Sequence, residues 1–223
     1  MVLVLFGARS PLVVEYEETA ARNEISPLWI VHAGQGAPRA LNRSAVIREE
    51  NMTPEMDGAG FIACAFNPTR RSALVDKALG KGLRPAPALM DPGATIARSS
   101  RVAEGSFLNA GVIVGAATRI GSHVVVNRAS SIGHHCIIDD RVSIGPGVHV
   151  ASNVRVGAGA IICTGAIILP DISIGPDAIV SAGSVVRTDV EGGTLVAGAP
   201  ATSRAYDRAA GVFGKTEAEQ EAG

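Results

Sequence analysis

From Met90 onward the chain divides into sixes without a single insertion, and this register constrains the fold more than any other feature. The residues that open successive sixes are Met90, Ile96, Val102, Leu108, Val114, Ile120, Val126, Ile132, Ile138, Ile144, Val150, Val156, Ile162, Ile168, Ile174, Val180 and Val186, all aliphatic. With 47% of the chain hydrophobic, an unbroken run of 17 would arise by chance about a few times per million. The fifth residue of each six is small or β-branched, as in Ser106, Val124, Cys136, Ala160 and Ala178. The second is often Gly, Asn, Asp or Ala, residue types that corners favour.

A period of six is neither the 3.6 of a helix nor the two of a simple strand. Strand alternation turns the fifth residue and the next first residue inward and the one between them outward, and two corner residues then restart the pattern. Three sixes close one triangular coil of 18 residues, and successive coils stack as parallel strands. Each buried aliphatic contributes about 1.5–3 kcal/mol, most of it offset by the entropy of ordering the chain. A β-sandwich would need turns every 8–12 residues and loops of varied length, which this region lacks. Twenty-six glycines beside one Trp, two Tyr and five Phe suit tight corners around an aliphatic interior.

Residues 1–89 have another rhythm. Val2–Phe6 reads as a strand, Gly7–Ser10 as a turn, and Pro11–Arg22 as a helix with Pro in its first turn. Leu28–His32 and Phe61–Phe66 read as further strands, and Thr69–Leu79 as a helix ended by Gly80. Alternating strands and helices imply a small parallel sheet with a binding crevice at its strand ends. The expected organisation is an α/β domain over 1–89, a parallel β-helix over 90–204 closed by Val196–Pro200, and a polar tail over 205–223 that is partly disordered.

The net charge of −1 gives no reason to expect nucleic acid or an anionic membrane as partner. Cys64, Cys136 and Cys163 have no metal-ligand spacing, and their odd number argues against a disulfide framework. No stretch approaches the ~20 apolar residues of a membrane span, and the apolar start lacks the basic region of a signal peptide. These features point to a cytoplasmic enzyme.

Of the five histidines, His32 ends an expected strand, and His123 and His149 are assigned to outward strand positions with solvated or structural roles. His134 stands third in its six, at an exposed corner, and Gly133 before it would let a ligand or another chain come close. A free imidazole titrates near ~6.5, so such a residue can accept a proton at neutral pH. Ser152 follows His134 by 18 and stands one coil away, about 4.8 Å off. Asn127 lies on the preceding corner, with Thr164 and Ala182 along that same edge. A groove following an edge for several coils suits a long, thin ligand such as coenzyme A.

The run Asn127-Arg-Ala-Ser-Ser-Ile-Gly-His134-His-Cys-Ile-Ile-Asp-Asp140, with Gly157-Ala-Gly159, Ala182-Gly-Ser-Val-Val186 and Gly198-Ala-Pro200, resembles the bacterial sugar O- and N-acetyltransferases of the sialic acid O-acetyltransferase type. The likeness spans nearly the whole chain. It implies a left-handed sense for the β-helix coils, a homotrimer, and acetyl-CoA bound as co-substrate between neighbouring β-helices. It implies His134 as general base, with His135 and Asn127 as catalytic neighbours, and Ser152, Thr164 and Ala182 along the pantetheine arm. The family has Asp or Glu where this chain has His135, and its glycine-rich first turn is here Gly7-Ala-Arg9-Ser10-Pro11-Leu12. Gly7, Arg9 and Ser10 are the candidates for holding an acceptor such as a nucleotide sugar, with Arg9 suited to a phosphate or carboxylate. The exposed outer positions Ile113 and Val124–Val126 call for cover, in keeping with a trimer.

Two other classes stay open. A non-catalytic β-helix scaffold or sensor fits the altered residue 135 and glycine turn. A γ-type carbonic anhydrase-like enzyme would need three converging histidines, for which the spacings of His134, His135 and His149 do not provide; no metal is expected.

Overall fold

A computed structural model describes residues 2–26, 28–53 and 56–204; the tail expected over 205–223 lies outside the described residues. The first part is a five-stranded parallel sheet in the order β3-β2-β1-β4-β5, where β1 is Leu3–Phe6, β2 Leu28–His32, β3 Val46–Arg48, β4 Gly60–Ala63 and β5 Arg84–Pro85. Helix α1 (Val13–Arg22) joins β1 to β2, and α2 (Pro68–Gly80) joins β4 to β5. Strand order reverses between β1 and β4, so a crevice opens beyond their carboxyl ends, the usual ligand position in such sheets.

Element limits differ from expectation in instructive ways. Helix α1 begins at Val13 because Ser10 and Pro11 complete a turn, in which Ser10 N donates to Gly7 O (3.2 Å) and Val13 N to Ser10 O (3.0 Å). Helix α2 begins earlier, at Pro68, with Asn67 Oδ1 capping the Arg70 amide at 3.0 Å. Gly80 lies inside its last turn, and Gly82, at φ +80°, carries the chain out. The edge strands β3 and β5 are too short to show a period.

From Leu89 the chain winds as a β-helix of 17 two-residue strands, each ending on one of the aliphatic residues that open the sixes. Partners are 18 residues apart and parallel, for example Ile113↔Ser131↔His149. Three faces result. The first carries the strands at 89, 107, 125, 143, 161 and 179, the second those at 95 to 185, and the third those at 101 to 173. Leu195–Gly198 continues the first face and folds back antiparallel on Ala201–Arg204. The interior is the aliphatic ladder from Leu108 to Val186 with Val190 and Val196. Met90 is the exception: at the open end of the first coil it is exposed, and Leu89 turns inward to the α/β part instead.

The corners correct one inference. Positive φ falls on the fourth residue of a six, as at Ala117 (59°), His123 (55°), His135 (57°) and Asn153 (64°), not on the second. The second-place glycines serve the stacking of coils. A β-carbon on Gly133 would stand 2.7 Å from Ala151 C and Ser152 N, so this glycine lets the next coil, not a ligand, approach.

The two parts are joined along the first face. Tyr16 of α1 stacks on Phe107 at 3.9 Å, and Phe107 and Val125 belong to the core built around β1 and α1. Of the positions expected to need cover, Val124 and Val126 point into the β-helix interior and Val125 is covered by the α/β part of the same chain; Ile113 remains 53% exposed. Arg22 pairs with the buried Asp91 at 2.9 Å, and Glu15 with Arg128 at 3.0 Å. Arg71 of α2 is fully buried, and burial pulls its guanidinium down to about 10, so it stays charged at neutral pH. It donates to Ala65 O and Phe66 O in its own part, and to His123 O, Arg141 O, Val142 O and Ser143 Oγ in the β-helix, at 2.6–3.1 Å. No described helix is long and apolar enough to cross a membrane.

Candidate active site

The six candidates on the β-helix fall on two edges that flank its second face. His134, His135 and Ser152 stand on the edge between the second and third faces; Asn127, Thr164 and Ala182 stand on the edge between the first and second. Within one chain, therefore, His134 and Asn127 occupy different corners.

His134 and His135 are both exposed, and their Nδ1 atoms lie 2.9 Å apart. Their backbone is tied to both neighbouring coils: His135 N donates to Ala116 O (2.9 Å), and His134 O accepts from Asn153 N (3.0 Å). The corner is thus rigid and the rings project from it. Between the two edges, on the second face, Ser131 Oγ and His149 Nδ1 lie 2.8 Å apart. His149 stands on a strand as expected. His123 does not: it occupies a corner, stacks on Phe61 at 6.0 Å, and is half-buried. Burial, then the Arg71 charge, holds its imidazole below the ordinary value, so it is neutral and serves the join between the two parts.

Asn127 is buried and structurally engaged. Its Oδ1 accepts from Asn109 Nδ2 (3.0 Å) and from the Arg128 amide (2.8 Å), and Asn109 also donates to Glu15 (3.2 Å). Thr164 and Ala182 are exposed, and among the described residues neither amide N–H has a partner. Such amides, one coil apart, can donate to the carbonyls of an extended ligand. Cys163 lies on the same edge. Burial pushes its thiol up to about 11, and burial raises Cys64 and Cys136 as well. All three are thiols at neutral pH, unsuited to a covalent acyl intermediate.

In the crevice of the α/β part, Gly7 is buried at φ +117°, and its amide and that of Ala8 both donate to Val31 O. A β-carbon on Gly7 would come within 2.7 Å of Leu74, so this glycine seats α2. Ser10 Oγ accepts from the Leu12 amide at 3.3 Å. Arg9 is partly exposed, lies against Gly34 and Gly36, and has no carboxylate partner among the described residues. The loop over it is pinned by Arg39 N to Ala8 O (2.8 Å) and by the buried Glu17, which accepts from the Leu41 and Asn42 amides at 2.8 Å each. His32, at the carboxyl end of β2, is buried with neither ring nitrogen hydrogen-bonded. A buried imidazole without a partner is costly and marks a place where water or a ligand belongs. Sequence reasoning gave His32 a solvated or structural role; its position at a strand end does not show that it is buried. Among the described residues no group of three or more His, Cys, Asp and Glu is placed to hold a metal ion.

No protein-family model matches the chain, and no curated protein matches it in sequence. Its structure has clear counterparts. The acetyltransferase domain of PglB from Neisseria gonorrhoeae, solved with acetyl coenzyme A, superposes with a TM-score of 0.81 at 28% identity, over 91% of this chain and 98% of that one. PerB from Caulobacter crescentus, solved with CoA and GDP-perosamine, gives 0.82 at 26% identity, over 92% and 97%. WeeI from Acinetobacter baumannii shares the fold, with a TM-score of 0.77 at 24% identity. These counterparts are left-handed β-helices preceded by a short α/β region, and the chain has that fold. It is similar, over nine-tenths of its length, to sugar N-acetyltransferases.

Proposed function

We propose that the protein is an acetyl-CoA-dependent acetyltransferase that acts on a nucleotide-linked amino sugar. The observation that carries the reading is the superposition over nine-tenths of the chain on an acetyltransferase domain solved with acetyl-CoA. It is joined to a corner imidazole, His134, that is exposed and firmly mounted. The binding of GDP-perosamine by PerB favours nitrogen over oxygen as the accepting atom and a nucleotide sugar as its carrier.

In this reading residues 1–89 bind the acceptor and residues 90–204 carry out the transfer. The nucleotide end lies in the crevice beyond β1 and β4, where Arg9 offers an unpaired cation to the phosphates and His32 an unpaired imidazole. Acetyl-CoA runs along the edge of Thr164 and Ala182, whose free amides meet its pantetheine arm. Because these residues and His134 stand on different edges, the working assembly is a homotrimer in which the two edges come from neighbouring copies. The apolar Ile113 and Ile167 of the second face, 53% and 39% exposed, support that assembly. His134 Nε2 takes a proton from the acceptor amine as its nitrogen bonds to the acetyl carbon. The C–S bond then breaks, and the proton passes to the departing thiolate. Ser152, one coil from His134, lies beside the path of the thioester. A cytoplasmic setting belongs to the same reading.

The test is thiol release from acetyl-CoA in the presence of GDP-perosamine and related amino sugars, with light scattering on the same sample. Acceptor-dependent release by a trimer is expected. A monomer with no release for any amino or hydroxyl acceptor would return the chain to the scaffold reading.

A further inference from the structure

A base that works through Nε2 must keep its own proton on Nδ1, and that tautomer needs an acceptor facing Nδ1. Among the described residues the one atom within hydrogen-bonding distance of His134 Nδ1 is Nδ1 of His135, at 2.9 Å, with the ring planes at 89°. Resting on the acetyl-transfer reading above, we infer that His135 is a positioning residue. Its Nδ1 lone pair accepts the His134 Nδ1 proton, which leaves His134 Nε2 unprotonated and ready for the proton of the acceptor amine.

The surroundings supply no charged alternative. On the same edge His134 is flanked by Ala116 and Ser152, and His135 by Ala117 and Asn153. Asp171, two coils from His135, is held by Asn153 Nδ2 at 2.9 Å. On the third face Arg119 and Arg155 flank Ile137, with Arg155 paired to Asp139 at 3.0 Å. His149 of the second face is engaged with Ser131. Arg98, two coils before His134, makes no hydrogen bond to either ring among the described residues. Within one chain the partner of the base is therefore a neutral imidazole.

Proton counting gives the consequence. At 2.9 Å there is room for one proton between the two Nδ1 atoms. The neutral pair holds that proton and a second on His135 Nε2. A third proton goes to His134 Nε2 and ends its action as a base; its charge is shared with His135 through the N–H···N bond. A fourth would set two N–H groups head to head and break the bond. The same cation forms during transfer, when His134 receives the amine proton, and His135 stabilises it without a counter-charge.

Histidine-selective ¹⁵N NMR of the full chain reads the tautomers directly and needs no substrate. Near pH 8, His134 is expected as the Nδ1–H form and His135 as the Nε2–H form. Substitutions at 135 add a kinetic readout with acetyl-CoA and GDP-perosamine. His135→Ala removes the acceptor and should lower kcat about tenfold or more with both KM values unchanged. His135→Asn keeps an acceptor near the Nδ1 position, tolerates the φ of 57°, and should restore most of the rate. His135→Asp offers a carboxylate oxygen to the same Nδ1 proton and should likewise restore most of the rate. Both histidines in the Nε2–H form would overturn the pairing, as would a His135→Ala enzyme with the wild-type rate. If His134→Ala keeps full turnover, the failure lies in the base assignment, and the tautomer measurement still decides the pairing.

Discussion

Replacing Arg71 by Met should cost more stability than any surface change in the chain, although the residue touches no substrate site. Its guanidinium donates to five carbonyls and one hydroxyl across the join between α2 and the β-helix. Two acceptors keep another donor in its absence: Val142 O accepts from Val125 N at 3.0 Å, and Phe66 O accepts from the Ser143 hydroxyl. Ala65 O, His123 O and Arg141 O would be left without one. A buried carbonyl stripped of its partner costs about 1–3 kcal/mol, so the three together amount to about 3–9 kcal/mol. Against a typical domain stability of about 5–15 kcal/mol, that removes about a fifth of the total or more. Urea titration followed by circular dichroism is the assay. Arg71→Met should lower the unfolding free energy by at least about 3 kcal/mol, and Arg71→Lys, with three donors on one nitrogen, should lose less. An Arg71→Met protein within about 1 kcal/mol of wild type would refute the claim that this cation ties the two parts together.

Three further outcomes follow from neighbouring features. Gly133→Ala should destabilise by about 1–3 kcal/mol and slow turnover, because its β-carbon would press on the next coil at 2.7 Å and displace the His134 corner; a melting temperature and rate equal to wild type would contradict the stacking account. His123→Asn should flatten the acid side of the stability curve. The half-buried His123 imidazole binds its proton less readily than the unfolded chain does, so native stability falls as pH drops below ~6.5, and calorimetry between pH 7 and 5 should show a steeper slope in wild type. Ala182→Trp should block acetyl-CoA binding by calorimetry while leaving the fold intact, and equal affinity would move the groove elsewhere.

The β-helix was legible because its period is enforced by geometry. Every six must return an aliphatic side chain to the same interior, so Ile132, Val150 and Ile168 announce their stacking without any contact being seen. The glycines misled for a related reason. A glycine marks either a left-handed backbone or a missing β-carbon, and sequence does not distinguish Gly133, which makes room for Ala151, from Gly183, which has φ +66°. Arg71 escaped notice because its partners are mostly backbone carbonyls up to 72 residues away, which carry no side-chain signature. Val125 looked exposed because the face it occupies is covered by a separate part of the chain. At the site, His134 could be named from its corner position, whereas the 2.9 Å approach of His135 depends on rotamers that no spacing encodes. His32 was visible as the end of a strand, but not its burial or its unpaired nitrogens.

The central claim is that His134 is the base for acetyl transfer, and one comparison tests it most directly: steady-state thiol release by wild type and His134→Ala with acetyl-CoA and GDP-perosamine, on protein of matched melting temperature. The side chain is exposed and the aliphatic ladder does not use it, so its loss should leave stability and acetyl-CoA affinity nearly unchanged. General-base catalysis is typically worth about 10²–10⁴-fold, so kcat should fall by at least about 10²-fold. Wild-type kcat in His134→Ala would contradict the account.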